Sequence, residues 1–304
     1  MRTECHVVPF HAGEAHKTRE TWAAVTDQLL RAAIGRDGAV VAVGGGVVGD
    51  LAGFVAATYL RGIPYVHVPT TLLAMIDSSV GGKTGVDTPA GKNLVGAFHH
   101  PRAVVADIAT LDTLPARHFT AGLAEAIKHG AIADETYFDA LAADAVTVGD
   151  HARLIEIVRR SVEIKAGVVS EDEREAGKRA MLNAGHTIGH AAEAGGKYEL
   201  LHGEAVAIGM VLEATLGQSL GITEATTISR LSAALEQHGL PTGLPHNIPG
   251  AALFEAMRHD KKNRAHSLRF TLLKRIGEVA RPSGGEWTFE VTQNELRKCL
   301  RLVP

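Results

Sequence analysis

Cysteine is almost missing from this chain. Only Cys5 and Cys299 occur in 304 residues, near opposite ends, so no disulfide framework, CxxC redox pair or thiolate zinc knuckle can be assembled from them. A reducing, cytoplasmic setting is the expectation. An excess of one charge is missing as well. Lys and Arg number 31 against 34 Asp and Glu, for a formal net charge of -3, and the basic residues are scattered. That leaves no electrostatic footprint for nucleic acid and favours a small-molecule partner. The opening residues, Met1-Arg2-Thr3-Glu4-Cys5-His6, lack the charged-then-apolar layout of a secretory leader. Long apolar runs are absent too. The one stretch that catches the eye, residues 39–60, carries Asp50 and repeated glycines, which argue against a membrane helix. A buried strand, a glycine turn and a helix are expected there instead.

What remains is an ordinary globular composition, 45% apolar with both charge signs, and a length that suggests about two domains. Residues 18–33 read as a helix with Trp22, Val25, Leu29 and Leu30 on one face. Strands are expected at 39–43, 65–68 and 103–106, with a helix at 50–60. Such alternation argues for a parallel sheet with helices on its faces. Beyond Leu114-Pro115 the texture turns helical, at 121–133, 152–169, 177–194, 204–220, 226–238 and 251–257. A small hairpin is expected from 269–273 and 278–280. The chain therefore divides into an α/β domain, 1–114, and a mainly helical domain, 115–304.

Gly44-Gly45-Gly46-Val47-Val48-Gly49-Asp50 follows a strand and opens a helix, and Gly44, Gly46 and Gly49 satisfy the G-x-G-x-x-G spacing. Glycines let a backbone approach a pyrophosphate, and a helix start offers unpaired N–H groups. The same spacing also serves a plain strand-to-helix turn, so the loop alone leaves both readings open. The acidic residue that ordinarily holds a ribose about 20 positions on is replaced by Pro69 and Thr70. Glu14 and Lys17 are the substitutes upstream, with a solvated helix start as the alternative.

The helical half carries a carboxylate and histidine set. Glu125 and Lys128 stand three apart on one helix, and His186 and His190 stand four apart, so each pair shares a face. His202-Gly203-Glu204 opens the next apolar helix. One Glu and two His leave a fourth position open, as a catalytic zinc site requires. A second cationic set is Lys83, Lys92, Lys165, Arg179 and Lys261. Scattered lysines are usually solvated, but several of these lie inside glycine-rich or apolar motifs, as Gly81-Gly82-Lys83-Thr84-Gly85 and Gly91-Lys92-Asn93 do, and a phosphorylated, carboxylated substrate would need such a cluster.

Taken together, these stretches resemble the 3-dehydroquinate synthases of the sugar-phosphate cyclase superfamily. The matching runs are GGGVVGDLAGF at 44–54, YLRGIPYVHVPTTLLA at 59–74, DSSVGGKTGV from 77 and GKNLVGAF to 98. GLAEAIKHG at 122–130, IKAGVVSEDE at 164–173, GKRAMLNAGHTIGH at 177–190, LHGEAVAIGM at 201–210 and HDKKN at 259–263 continue them in collinear order. The resemblance implies a Rossmann-like NAD-binding α/β domain followed by a helical metal-binding domain. It implies zinc, with cobalt as the alternative ion, on Glu125, His186 and His202. NAD+ would contact Glu14, Lys17, Gly46, Val47, Val48, Gly49, Asp50, Thr70, Thr71, Lys83, Lys92 and Thr113. A phosphorylated sugar acid would meet Asp77, Asn93, Lys128, Lys165, Arg179, Asn183, His190 and Lys261, and Arg61 would reach its phosphate from the other subunit of a homodimer.

The implied reaction takes 3-deoxy-D-arabino-heptulosonate 7-phosphate through oxidation of a secondary alcohol by NAD+, loss of phosphate, re-reduction, ring opening and an intramolecular aldol closure. NAD+ is regenerated, so the enzyme is a lyase. Met75, Asp87 and His118 depart from the residues common in the family. Members usually carry about 50 further residues before the position of Met1, so a dinucleotide domain lacking its usual first strand, with a weakened hold on NAD+, is expected. Sister cyclases that make deoxy-inosose or valiolone differ at the stretch matching 78–83 or at the residue matching His190, and both look synthase-like here. A metal-dependent polyol dehydrogenase would release NADH. A non-catalytic descendant would have no need of Glu125, His186, His202 and His190.

Overall fold

A computed structural model describes residues 4–195, 199–245, 248, 250–259 and 267–300. The chain divides into two units, Met1–Leu114 and Pro115–Pro304. Among the described residues no helix is long and apolar enough to cross a membrane.

In the first unit, α1 (Arg19–Arg31) starts where Thr18 Oγ1 accepts from the Thr21 N–H at 3.2 Å. Such a cap satisfies one of the helix's orphan donors. Val25 is buried, and Trp22 lies 5.7 Å from Phe54. Leu30, expected on the same face, is exposed. It follows Leu29 directly and so points about 100° away from it. Strand β1 (Val40–Gly44) leads into α2 (Gly46–Thr58), and β2 (Tyr65–Pro69) pairs parallel to β1 with Val40 opposite Tyr65. Strands β3 (Lys83–Thr88) and β4 (Gly91–Phe98) form an antiparallel hairpin that periodicity did not anticipate. Its glycines hide it: a Cβ on Gly96 would lie 2.2 Å from the Thr84 carbonyl oxygen. Strand β5 (Ala103–Val104) completes a parallel sheet of order β1–β2–β5. The sheet is as expected, but β1 is not buried on both faces. Ala42 lies in the core, whereas Val41 and Val43 are 59% and 60% exposed, because alternate side chains point to opposite faces.

The second unit holds α3 (Ala116–Ala133), α4 (Glu135–Ala143), α5 (His151–Glu171), α6 (His186–Gly195), α7 (His202–Ser219), α8 (Ala225–Gln237) and α9 (Gly250–His259). Strand β6 (Ser267–Phe270) pairs with β9 (Phe289–Thr292), β7 (Leu273–Arg275) pairs with β8 (Glu278–Val279), and α10 (Gln293–Leu300) follows. The expected hairpin therefore turns at 275–278, but its first half belongs to a different pair. Residues 177–194, read as one helix, are two pieces. A 3₁₀ segment (Lys178–Asn183) ends before Gly185, whose φ of +78° is left-handed and stops the helix. This break puts His186 at a helix start rather than inside one. Helix α7 is buried along most of its length, from Ala205 to Leu216, which explains its lack of a polar stripe.

Candidate active site

Three elements of the second unit converge on one carboxylate. Glu125 sits on α3 and is fully buried. His186 opens α6 and His202 opens α7, and their Nε2 atoms lie 3.6 and 3.5 Å from Glu125 Oε1. One donor atom from each of the three lies within 4.8 Å of the others. The rings of His186, His190 and His202 stand 5.3 to 5.9 Å apart, centre to centre. Burial, with the nearby Lys128 ammonium, pushes His186 well below the ordinary histidine range. Enclosure acts on His202 in the same direction, but Glu125 and Glu193 outweigh it and carry that imidazole up to about 10. One ring is thus neutral, whereas the other keeps a proton that it must release before it can ligate a metal.

The cations of this unit are equally enclosed. Lys128 pairs with Glu125 one turn along α3 and is 1% exposed. Lys165 on α5 and Arg179 are also buried. Arg179 donates from its guanidinium to the Glu173 carbonyl, while its backbone N–H donates to Asp172 Oδ2 at 2.9 Å. Asp172 also accepts from Ala176 and Gly177, so one carboxylate shapes the turn that presents Arg179. Asn183 donates to Glu175 Oε1 at 2.6 Å. Lys261 lies outside the described residues.

In the first unit the glycine loop ends β1 and starts α2 with no side-chain cap. Three glycines are fitted against neighbours that a Cβ would strike. At Gly45 it would meet Thr71 at 3.0 Å, at Gly46 the Ser78 hydroxyl at 3.1 Å, and at Gly49 the His67 ring at 2.1 Å. The Thr70 N–H donates to the Gly44 carbonyl, so Thr70 and Thr71 back the loop. Lys17 is buried and donates to Asp50 at 2.5 Å and to Asn93 at 2.6 Å. Burial works against its charge, but Asp50 and Glu14 outweigh it and raise its pKa. Burial raises Glu14 against the opposing pull of Lys17 and Lys92. Glu14, Lys17, Asp50, Lys92 and Asn93 therefore form one charged group, with Asn93 beside residues expected at the nucleotide. Asp77 lies in a π-helical turn (Ala74–Ser78), Lys83 begins β3, and Thr113 ends a 3₁₀ segment (Ile108–Thr113). Arg61 is exposed in a turn where Leu60 and Arg61 both take left-handed φ, +50° and +67°.

The model of the 3-dehydroquinate synthase N-terminal family matches residues 7–121, and that of the 3-dehydroquinate synthase C-terminal family matches residues 122–263. The chain is 52% identical over 279 residues to the 3-dehydroquinate synthase of Halorhodospira halophila, covering 91% of this chain and 78% of that protein. It belongs to the 3-dehydroquinate synthase family. Among solved structures, a 2-deoxy-scyllo-inosose synthase complexed with carbaglucose-6-phosphate, NAD+ and Co2+ superposes with a TM-score of 0.91 at 30% identity, over 97% of this chain and 82% of that one. A 2-epi-5-epi-valiolone synthase from Streptomyces hygroscopicus subsp. jinggangensis, with NAD+ and Zn2+ bound, gives a TM-score of 0.86 at 31% identity, over 96% and 81%.

Three buried titratable residues of the structure, Glu193, Glu213 and His67, had no place among the expectations from the sequence. Glu193, buried on α6, approaches His202 Nδ1 at 3.7 Å. Its place seven residues after His186 and three after His190 put it on their face, and that spacing was a usable signal. Glu213 is buried inside α7. The signal there was a lone acid in the apolar run Ala205-Val206-Ala207-Ile208-Gly209-Met210-Val211-Leu212 that precedes it. His67, buried under the glycine loop, had no legible signal.

Proposed function

We propose that this chain is a 3-dehydroquinate synthase, closing 3-deoxy-D-arabino-heptulosonate 7-phosphate to 3-dehydroquinate with loss of phosphate. The observation that carries this reading is the Glu125–His186–His202 triad in a chain 52% identical to a synthase of that name, against 30% for an inosose-forming relative. The donor set fits a divalent ion. Atoms each about 2.1 Å from a shared tetrahedral centre stand roughly 3.4 Å apart, close to the 3.5 and 3.6 Å between Glu125 and the two imidazoles. We assign zinc or cobalt to these three ligands and NAD+ to the first unit; the two solved relatives contain NAD+ with Co2+ and NAD+ with Zn2+. The uncapped start of α2 and the fitted glycines support the dinucleotide assignment. When bound, the dinucleotide supplies reversible oxidation of a substrate alcohol, and the ion supplies Lewis-acid polarisation of its oxygen.

The protein's own residues position and neutralise. Gly46, Val47, Val48 and Gly49 offer backbone N–H groups to the pyrophosphate, and Glu14, Lys17, Asp50, Thr70, Thr71, Lys83, Lys92 and Thr113 complete that contact set. Lys165, Arg179, Asn183 and Lys261 balance the substrate's carboxylate and phosphate. His190 exchanges a proton at its imidazole. Lys128 holds Glu125 in place, and Asp77 and Asn93 hydrogen-bond hydroxyl groups. We assign Arg61 to the phosphate pocket of the other subunit of a homodimer, a role supported by its exposure and its held turn. Two free thiols, Cys5 and Cys299, support a cytoplasmic setting.

A phosphate-release assay with the heptulosonate phosphate tests the reading. Release is expected only with both NAD+ and a divalent ion, with no accumulation of NADH. A folded His186→Ala/His202→Ala double variant is expected to lose stoichiometric metal and turnover together. Stoichiometric NADH would make the enzyme a dehydrogenase, and preference for a six-carbon sugar phosphate would make it a sister cyclase.

A further inference from the structure

Glu213 is an acid in an unusual place. It lies in the interior of α7, eleven residues beyond His202, and is 2% exposed. A buried carboxylate is costly unless strong donors surround it. Two of its donors come from the start of α6. The Gly185 N–H donates to one Glu213 oxygen at 2.7 Å, and the Ile188 N–H donates to the other at 3.0 Å. These two amides flank His186 on either side.

The start of α6 has no local alternative. Helix starts are usually capped by the side chain of the preceding residue, and here that residue is Gly185. A Cβ at Gly185 would lie 2.6 Å from Met210 Cγ and 2.8 Å from the Val206 carbonyl oxygen, and its φ of +78° disfavours any side chain. Helices α6 and α7 approach backbone to backbone at this point, since a Cβ on Gly209 would lie 1.9 Å from the Gly185 carbonyl oxygen. The crossing excludes a capping side chain at 185, and the neighbouring helix supplies the acceptor instead. One further bond connects this brace to the imidazole. His186 Nδ1 lies 3.1 Å from the Ala184 carbonyl. A carbonyl only accepts, so Nδ1 carries the hydrogen and the Nε2 lone pair faces Glu125, 3.6 Å away.

We propose that Glu213 is a positioning residue for the metal site: its carboxylate bridges the two amides on either side of His186 and fixes the tautomer-setting turn that aims His186 Nε2 at the ion. The charge matters as well as the shape. A carboxylate accepts at both oxygens and complements the positive end of α6. A carboxamide of the same size accepts at one atom only, so one amide would face an N–H group. The inference rests on the assignment of Glu125, His186 and His202 as ligands.

The test compares Glu213→Gln and Glu213→Ala with the parent enzyme, using zinc affinity from competition with a chromophoric chelator, NAD+ affinity from calorimetry, and the visible spectrum of the cobalt-loaded protein. Removal of residues that orient a metal ligand typically weakens metal binding about 10- to 100-fold. Glu213→Gln is expected to fall in that range with an altered cobalt band, Glu213→Ala to fall further, and NAD+ affinity to stay within about twofold of the parent in both. A folded Glu213→Gln protein with unchanged zinc affinity would overturn the proposal. So would parallel losses of zinc and NAD+ affinity, which would mark Glu213 as a general stabiliser. A parent enzyme that takes up no stoichiometric zinc would sink the ligand assignment itself, a separate result from either of these.

Discussion

His67 is expected to make the glycine loop sensitive to acid, because a proton on its ring would place a charge in a buried, unpartnered position. Its ring is buried on β2 against the Cα of Gly49, and its Nε2 has no hydrogen-bond partner among the described residues. Burial lowers its pKa from 6.5 to about 4. The unfolded chain therefore takes up a proton before the folded one does. The stability that neutral His67 contributes is complete above pH 6.5 and is lost as the pH falls toward 4. The lowering from 6.5 to about 4 corresponds to about 3 kcal/mol, at roughly 1.4 kcal/mol per tenfold change in proton affinity. Denaturant midpoints measured at neutral pH and near the lower limit are expected to fall further for the parent than for His67→Leu. Equal acid sensitivity in the two proteins would show that His67 titrates freely. Nothing in the motif marks this residue, because its partner Gly49 is eighteen positions earlier. Glu125, His186 and His202, by contrast, were legible because a Glu and two histidines are chemically conspicuous against apolar neighbours, although the helix start that presents His186 was not.

At the scale of elements, glycine decides where helices touch. A Cβ on Gly203, the residue after His202, would lie 1.8 Å from the Ala121 carbonyl oxygen on α3, one turn before Glu125. The obstacle is backbone, so α3 and α7 must separate to admit it. Gly203→Ala is expected to cost about 1 to 3 kcal/mol and to weaken metal binding by spreading Glu125 from His202. Gly167→Ala on α5, where nothing lies within 4 Å, is expected instead to stabilise by about 0.5 to 1 kcal/mol. Thermal melts with metal analysis check both, and similar effects at the two positions would refute the contact argument. The same contacts explain which elements were legible. Helices α1, α3, α5 and α8 announce themselves through apolar spacing, and β1, β2 and β5 through short β-branched runs. The hairpin of β3 and β4 was concealed because close backbone approach needs glycines, which read as loop. Short α4 went unread, although Asp134 caps it by accepting from the Tyr137 N–H. The break at Gly185 follows from a neighbour more than twenty residues later, which no local pattern encodes.

At the scale of the whole molecule, the assembly prediction rests on Arg61. Two consecutive left-handed residues, Leu60 and Arg61, cost of order 1 kcal/mol or more each, and the Ile63 N–H to Ala56 and Gly62 N–H to Tyr59 bonds hold them. If that turn serves the other subunit, inactive Arg61→Ala and inactive His190→Ala proteins should complement one another. An equal mixture after subunit exchange is expected to recover about a quarter of parental activity, since random pairing leaves one intact site in half of the dimers. No recovery in verified mixed dimers would place Arg61 outside a shared site. Helix α7 also sets a limit on how the chain can change in length. His202 stands at its first position and Glu213 eleven residues on, and both must face their partners at once. Each residue inserted between them would rotate one against the other by about 100°, so a single insertion there would do what no conservative substitution does. Loops such as 220–224 carry no such phase relation. Length variation in natural or engineered relatives should therefore collect outside α7, leaving its spacing fixed even where its apolar residues are exchanged.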